Sequence, residues 1–212
     1  MAKSSVKKRY IEAATKLIQE EGMEAVSARR LSAMIGMNVA NIYRHFENMD
    51  ELCLYASMSI FQDYQLEMQR MMAEIPNRYE LLVTSWEVYI EYAFRDVLLY
   101  DRLFFGKEQN KIAYIFQDYY RLYPEQKLVT DDIQLLYSSD YTERNRIMLE
   151  SCCEQGHFRY EDVDILNAVS EHMLIGYLRK ATNILDQPEE VKKLRDELIR
   201  YETEFFEKYR LT

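Results

Sequence analysis

The chain has 212 residues, a hydrophobic content of 48% and a formal net charge of −9, enough apolar material for one or two packed domains. Five glycines and three prolines are too few turn formers for a sandwich, a barrel or a Rossmann-like sheet, and favour long helices with short connections. Three cysteines, Cys53, Cys152 and Cys153, match no disulfide or zinc spacing, and no apolar run approaches the ~20 residues of a membrane span, so a reduced, cytoplasmic protein without a membrane segment is expected.

In chain order, the first helix is predicted over residues 5–21. Two adjacent rows, Tyr10, Ala13, Leu17 and Ile11, Ala14, Ile18, make one apolar face at helical spacing. Lys3, Lys7 and Lys8 crowd its first turns, where the helix dipole disfavours cations. That placement points to a negatively charged partner or to an ordinary solvated end. Ser27 is placed to cap a short helix over 28–35 whose inner face is Leu31 and Ile35, and Gly36 makes the turn after it.

Asn38 then caps a third helix running to about residue 46. Met37 and Ile42 stand at hydrophobic-staple positions and fix its angle of entry. Ile42 and Phe46, four apart, face inward, which leaves Val39, Ala40, Asn41, Tyr43, Arg44 and His45 to face elsewhere. Beyond Asn48 the segments lengthen. Helices are predicted over 49–75, 78–99, 109–122, 125–137, 142–155, 161–185 and 189–209. The domains are accordingly set at 1–48 and 49–212.

The acidic net charge is unevenly divided. Residues 1–46 hold eight lysines and arginines against four glutamates, or +4, so the remainder carries −13. A basic head on an acidic body suits a local contact with phosphates.

Two short helices joined by a glycine turn, with polar side chains left over on the second, form a helix-turn-helix. The stretch from Ser27 through Arg29, Leu31, Ser32, Ala33, Gly36 and Asn38, followed by Ile42-Tyr43-Arg44-His45-Phe46 and Asn48-Met49-Asp50-Glu51-Leu52, resembles the signature of the tetracycline-repressor (TetR) family of transcriptional regulators. The resemblance spans about residues 5–55. It implies an all-α fold, with an N-terminal three-helix DNA-binding domain and a larger helical domain for effector binding and dimerisation.

By position it also implies that Ser27 and Tyr43 touch phosphates. Arg29, Val39, Ala40, Asn41, Arg44 and His45 would read bases, with Asn38 at the edge of the same surface. The chemistry agrees, because Arg pairs with guanine, Asn with adenine, and small apolar groups meet the thymine methyl. One position departs from the family: Met49 stands where a phosphate-binding Lys is usual.

Most of the 18 tyrosines, 9 phenylalanines and 11 methionines, and the single tryptophan, Trp86, lie beyond the head. Such stripes are usually core, yet tyrosine hydroxyls among methionines also suit a ligand pocket. Trp86 and Tyr89 are the candidate effector contacts, for an unidentified small molecule of aromatic or mixed apolar–polar character. Val169, Met173, Gly176 and Tyr177 share one side of the 161–185 helix. In the family, that helix and 189–209 would form a homodimer over a palindromic double-stranded operator.

The leading expectation is a repressor released by such an effector. The alternative is a factor of the same fold that responds to a protein partner or to DNA alone. No nucleophile–base pair, phosphate-binding glycine loop or metal cluster suggests an enzyme, and neither a cofactor nor a metal is expected.

Overall fold

The computed structural model describes residues 2–105, 111–127 and 141–211, and every regular element among them is helical. The longer helices are α1 (Ala2–Glu21), α2 (Ala28–Ile35), α3 (Met49–Glu74), α4 (Arg78–Arg95), α5 (Val97–Phe105), α6 (Ile112–Leu122), α7 (Tyr141–Glu154), α8 (Val163–Thr182) and α9 (Pro188–Tyr209). No described helix is long and apolar enough to cross a membrane.

Packing divides the chain into two compact units. One comprises the described parts of 1–63 and 102–128, the other those of 64–101 and 129–212. The division by packing falls within α3, whereas the functional division at residue 48 concerns which segments could touch DNA.

In the first unit, both predicted rows of α1 are buried, from Tyr10 and Ile11 to Leu17 and Ile18. Tyr10 meets Phe46 edge-on at 6.4 Å, and Phe46 meets Tyr55 at 5.7 Å. Leu31, Ile42 and Leu52 close the same core with no exposed surface. Ile115, Phe116 and Tyr119 are the inward side of α6.

In the second unit, Leu81, Leu82, Trp86 and Ile90 of α4 are buried, as are Leu166 and Leu174 of α8 and Leu198 and Phe206 of α9. Tyr79 donates a hydrogen bond to Glu207, tying the start of α4 to the end of α9.

Three predicted elements differ. The helix expected to 99 stops at Arg95, and a new one begins at Val97. Asp96 lies between them with φ −141°, and its Oδ1 accepts the Leu99 amide at 3.1 Å. A carboxylate competing for a backbone donor is what ends one helix and caps the next. The expected third helix is a six-residue 3-10 turn, Val39–Arg44. The Asn41 amide bonds to Asn38 O and the His45 amide to Ile42 O, each three residues back at 2.9 Å, the tighter pitch used in short pieces. The helix expected over 125–137 falls largely outside the described residues, and Pro124–Gln126 is a 3-10 turn.

Candidate functional site

The head is built by local chemistry that the sequence makes legible. Ser27 Oγ accepts the Arg30 amide at 3.3 Å and caps α2. At the other end Gly36 takes the left-handed conformation, φ 68° and ψ 35°. Its amide reaches Ala33 O at 3.4 Å, and the Met37 amide reaches Ser32 O at 2.9 Å, the paired bonds of a Schellman ending. Asn38 Oδ1 then accepts the Ala40 amide at 2.8 Å and starts the following turn. The side chain of Ile42 is fully buried and anchors that turn.

These anchors present the remaining side chains outward. Ser27, Arg29, Asn38, Val39, Ala40, Tyr43 and Arg44 are all exposed, Val39 at 39% and Tyr43 at 52%. Asn41 is half-buried, with Nδ2 3.1 Å from Met37 Sδ. His45 is also half-buried, and its ring centroid lies 6.3 Å from that of Tyr10. The predicted residues therefore lie on one short turn, on the residues that flank it and at the start of α2, with Asn41 and His45 the two that are half-buried.

Charge in the head is more committed than a count suggests. Arg30 grips Glu21 at 2.5 and 2.9 Å, and Arg9 donates to Ile35 O at 2.8 Å, joining α1 to α2. Lys7 Nζ pairs with Asp118 at 2.8 Å and lies 3.9 Å from the Tyr55 ring centroid. Tyr55 donates to the same Asp118 oxygen at 2.8 Å. Burial works to raise the Asp118 carboxyl, but the bonds from Lys7 and Tyr55 outweigh it and hold it below the usual carboxylate range. Lys8 lies over the Tyr123 ring, 4.5 Å from its centroid. Arg29 and Arg44 are exposed with no ion pair to a described residue.

A second feature lies wholly within the other unit. A cavity of about 50 Å³ is lined by Tyr64 and Met68 of α3, Ser85, Trp86 and Tyr89 of α4, and Arg144, Asn145 and Met148 of α7. Trp86 and Tyr89 were read as candidates from sequence; the other six were missed. Tyr64 and Met68, Ser85 and Tyr89, and Arg144 and Met148 are each four apart, so each helix offers one short stripe to the cavity. Trp86 Nε1 donates to Asn145 Oδ1 at 2.9 Å, and Asn145 Nδ2 donates to Asn167 Oδ1 at 2.8 Å. Behind them Ser170 Oγ donates to Glu202 at 2.9 Å, and burial pushes the Glu202 carboxyl up to about 8.

Among the described residues no cluster of His, Cys, Asp or Glu could hold a metal. Cys53, Cys152 and Cys153 are buried free thiols, and burial raises Cys53 to about 11 and Cys152 to about 12.

Residues 11–56 match the family model of the bacterial regulatory proteins, tetR family. An HTH-type transcriptional regulator of Staphylococcus aureus (strain bovine RF122 / ET3-1) is 23% identical over 138 residues, covering 63% of this chain and 74% of the relative. Among solved structures, RolR in complex with resorcinol superposes with a TM-score of 0.61 at 14% identity, over 94% of this chain and 88% of that one. Thermus thermophilus FadR, a TetR-family repressor in complex with lauroyl-CoA, gives 0.53 at 15% identity, over 91% and 93%. These two share the fold.

Proposed function

The chain is a DNA-binding transcriptional regulator of the tetR family, and on that footing we propose that it works as a homodimeric repressor released from its operator by a small-molecule effector. The observation that carries the proposal is the pairing of an exposed recognition turn, Val39–Arg44, with a cavity in the second unit whose walls include a buried arginine. RolR with resorcinol and FadR with lauroyl-CoA supply two examples of the fold holding a small molecule.

In this reading Ser27 and Tyr43 position the head on phosphates, while Arg29, Asn41 and Arg44 read base edges, Val39 and Ala40 meet a thymine methyl, and Asn38 and His45 border the surface. The dimer forms through α8 and α9. Ile165 and Tyr201 are 46% and 37% exposed. Among the described residues, leaving aside its chain neighbours and its own helix backbone, nothing comes within 4 Å of a Cβ built on Gly176, which leaves room there for a partner subunit.

Release then follows from linkage. A coupling of about 1–3 kcal/mol between effector and operator changes operator affinity 5- to 150-fold, and the operator weakens the effector by the same factor. Titration calorimetry of an effector with and without operator tests this. The expected result is weaker effector binding to the operator complex; equal affinity in both titrations would remove ligand-driven release and leave the same-fold factor that answers to a protein or to DNA alone.

A further inference from the structure

Three contacts tie α6 and its two ends to α1 and to the segment that follows the recognition turn. At its start Lys111 Nζ pairs with Glu47 at 2.7 Å, one residue beyond Phe46. At its end the Tyr123 hydroxyl donates to Lys8 O at 3.4 Å, and the Lys8 ammonium lies over the same ring. Between them stands Asp118. One of its oxygens, Oδ2, accepts both Lys7 Nζ of α1 and the Tyr55 hydroxyl of α3, each at 2.8 Å. Burial and the Asp118 carboxylate raise the Tyr55 hydroxyl, so it stays a donor. Asp118 is held below the usual carboxylate range, so it stays charged at neutral pH.

The contacts continue from Asp118 to the recognition turn. Lys7 Nζ lies 3.9 Å from the Tyr55 ring centroid and 5.4 Å from that of Phe46. Phe46 packs against Tyr55 at 5.7 Å and Tyr10 at 6.4 Å, and its amide bonds to Ile42 O at 3.0 Å. Ile42 and Phe46 are the buried side chains that anchor Val39–Arg44. The Lys7 and Asp118 side chains are each 14% exposed. Such a pair gives up most of its hydration, so its net contribution to stability is small, although losing one partner is costly. What it supplies is geometry, because an oxygen that takes an ammonium and a phenol together fixes where α1 and α3 lie against α6. Side chains that read base edges have to be held to within roughly 0.5 Å by neighbours whose own positions are locked.

We propose that Asp118 is a positioning residue for operator recognition: through Tyr55 and Lys7 it fixes Phe46, and with it the Val39–Arg44 turn, while touching no DNA itself. This rests on the reading of that turn as the recognition element and adds to it a residue from a helix outside the head.

The test compares binding to a duplex selected from a random pool with binding to the unselected pool, for the full-length chain well below its melting midpoint. Asp118→Asn is expected to weaken the selected duplex about tenfold, the scale of one lost base contact. Binding to the pool, and the slope of log affinity against log salt, should stay as they are. Asp118→Glu, which keeps the charge, should keep part of the preference. Tyr55→Phe retains the buried ring and the Lys7–Asp118 pair and removes only the hydroxyl, so it should lower the same preference by less. Melting midpoints show which variants are folded, and Tyr55→Phe carries the test if Asp118→Asn is not. A lower midpoint with the preference unchanged makes Asp118 a packing residue only and overturns the proposal. Tighter binding to every sequence makes its effect a plain repulsion of DNA and overturns it as well. An unaltered chain for which no duplex can be selected overturns the recognition-turn reading itself, and the positioning role with it.

Discussion

Arg29, Tyr43 and Arg44 are all exposed, and neither arginine is ion-paired to a described residue. A guanidinium that reads guanine in two bonds is worth about 1–3 kcal/mol of discrimination. Arg29→Ala and Arg44→Ala should each lose about that much on the specific operator and much less on random DNA. Competition binding against random duplex checks this, and full sequence preference in both variants would take them out of the base-reading role. Lys7 is expected to behave differently. Its ammonium is 2.8 Å from Asp118 and over the Tyr55 ring, so it belongs to the packing of α1 against α6. Lys7→Ala should lower the melting midpoint and leave the slope of log affinity against log salt unchanged. A phosphate contact would instead flatten that slope by about one unit. From sequence alone Lys7 was indistinguishable from a solvated or DNA-bound lysine, because Asp118 lies 111 residues away.

At the scale of the element, helix ends were legible wherever a capping side chain or a glycine marked them. Ser27, Gly36 and Asn38 each do the job their residue type suggests. The break at Asp96 was not, since the apolar periodicity from Leu82 to Val97 runs straight through it and only the Asp96 side chain, bonded to the Leu99 amide, interrupts it. The 3-10 pitch of Val39–Arg44 was missed for a similar reason, as six residues are too few for two helical periods to be told apart. Among the α-helices, α8 carries the clearest test. Gly176 is exposed on its outer side with open space beside it. Gly176→Glu would place a charge on the proposed subunit contact, where an unpaired carboxylate is costly. Sedimentation should show dissociation at concentrations where the unaltered chain is dimeric, with helix content preserved. An unchanged dimer would move the interface elsewhere.

At the scale of the molecule, the fold class and the head were readable because both rest on short-range patterns. The cavity was not, because its eight described lining residues come from three helices, and each stripe looks like ordinary core until the helices are placed together. The buried polar layer behind it carries a pH dependence. The Glu202 carboxyl is raised to about 8 in the folded chain, against an ordinary value near 4.3. The folded state thus holds the proton more tightly than the unfolded state. That contribution to stability is complete below the ordinary value and is lost as pH rises through about 8. Glu202→Gln should therefore gain on the unaltered chain between pH 6 and pH 9 in thermal melts, and parallel curves would contradict the buried neutral carboxyl. The central claim, a dimer that reads DNA through the Val39–Arg44 turn, is tested most directly by selecting bound sites from random duplex with the purified chain. The account predicts an enriched inverted repeat, its half-sites spaced so that two recognition turns enter major grooves roughly 34–36 Å apart or a multiple of that, and loss of the enrichment for Arg44→Ala. A pool with no enriched sequence, or a single unrepeated half-site bound as tightly as the repeat, would contradict it.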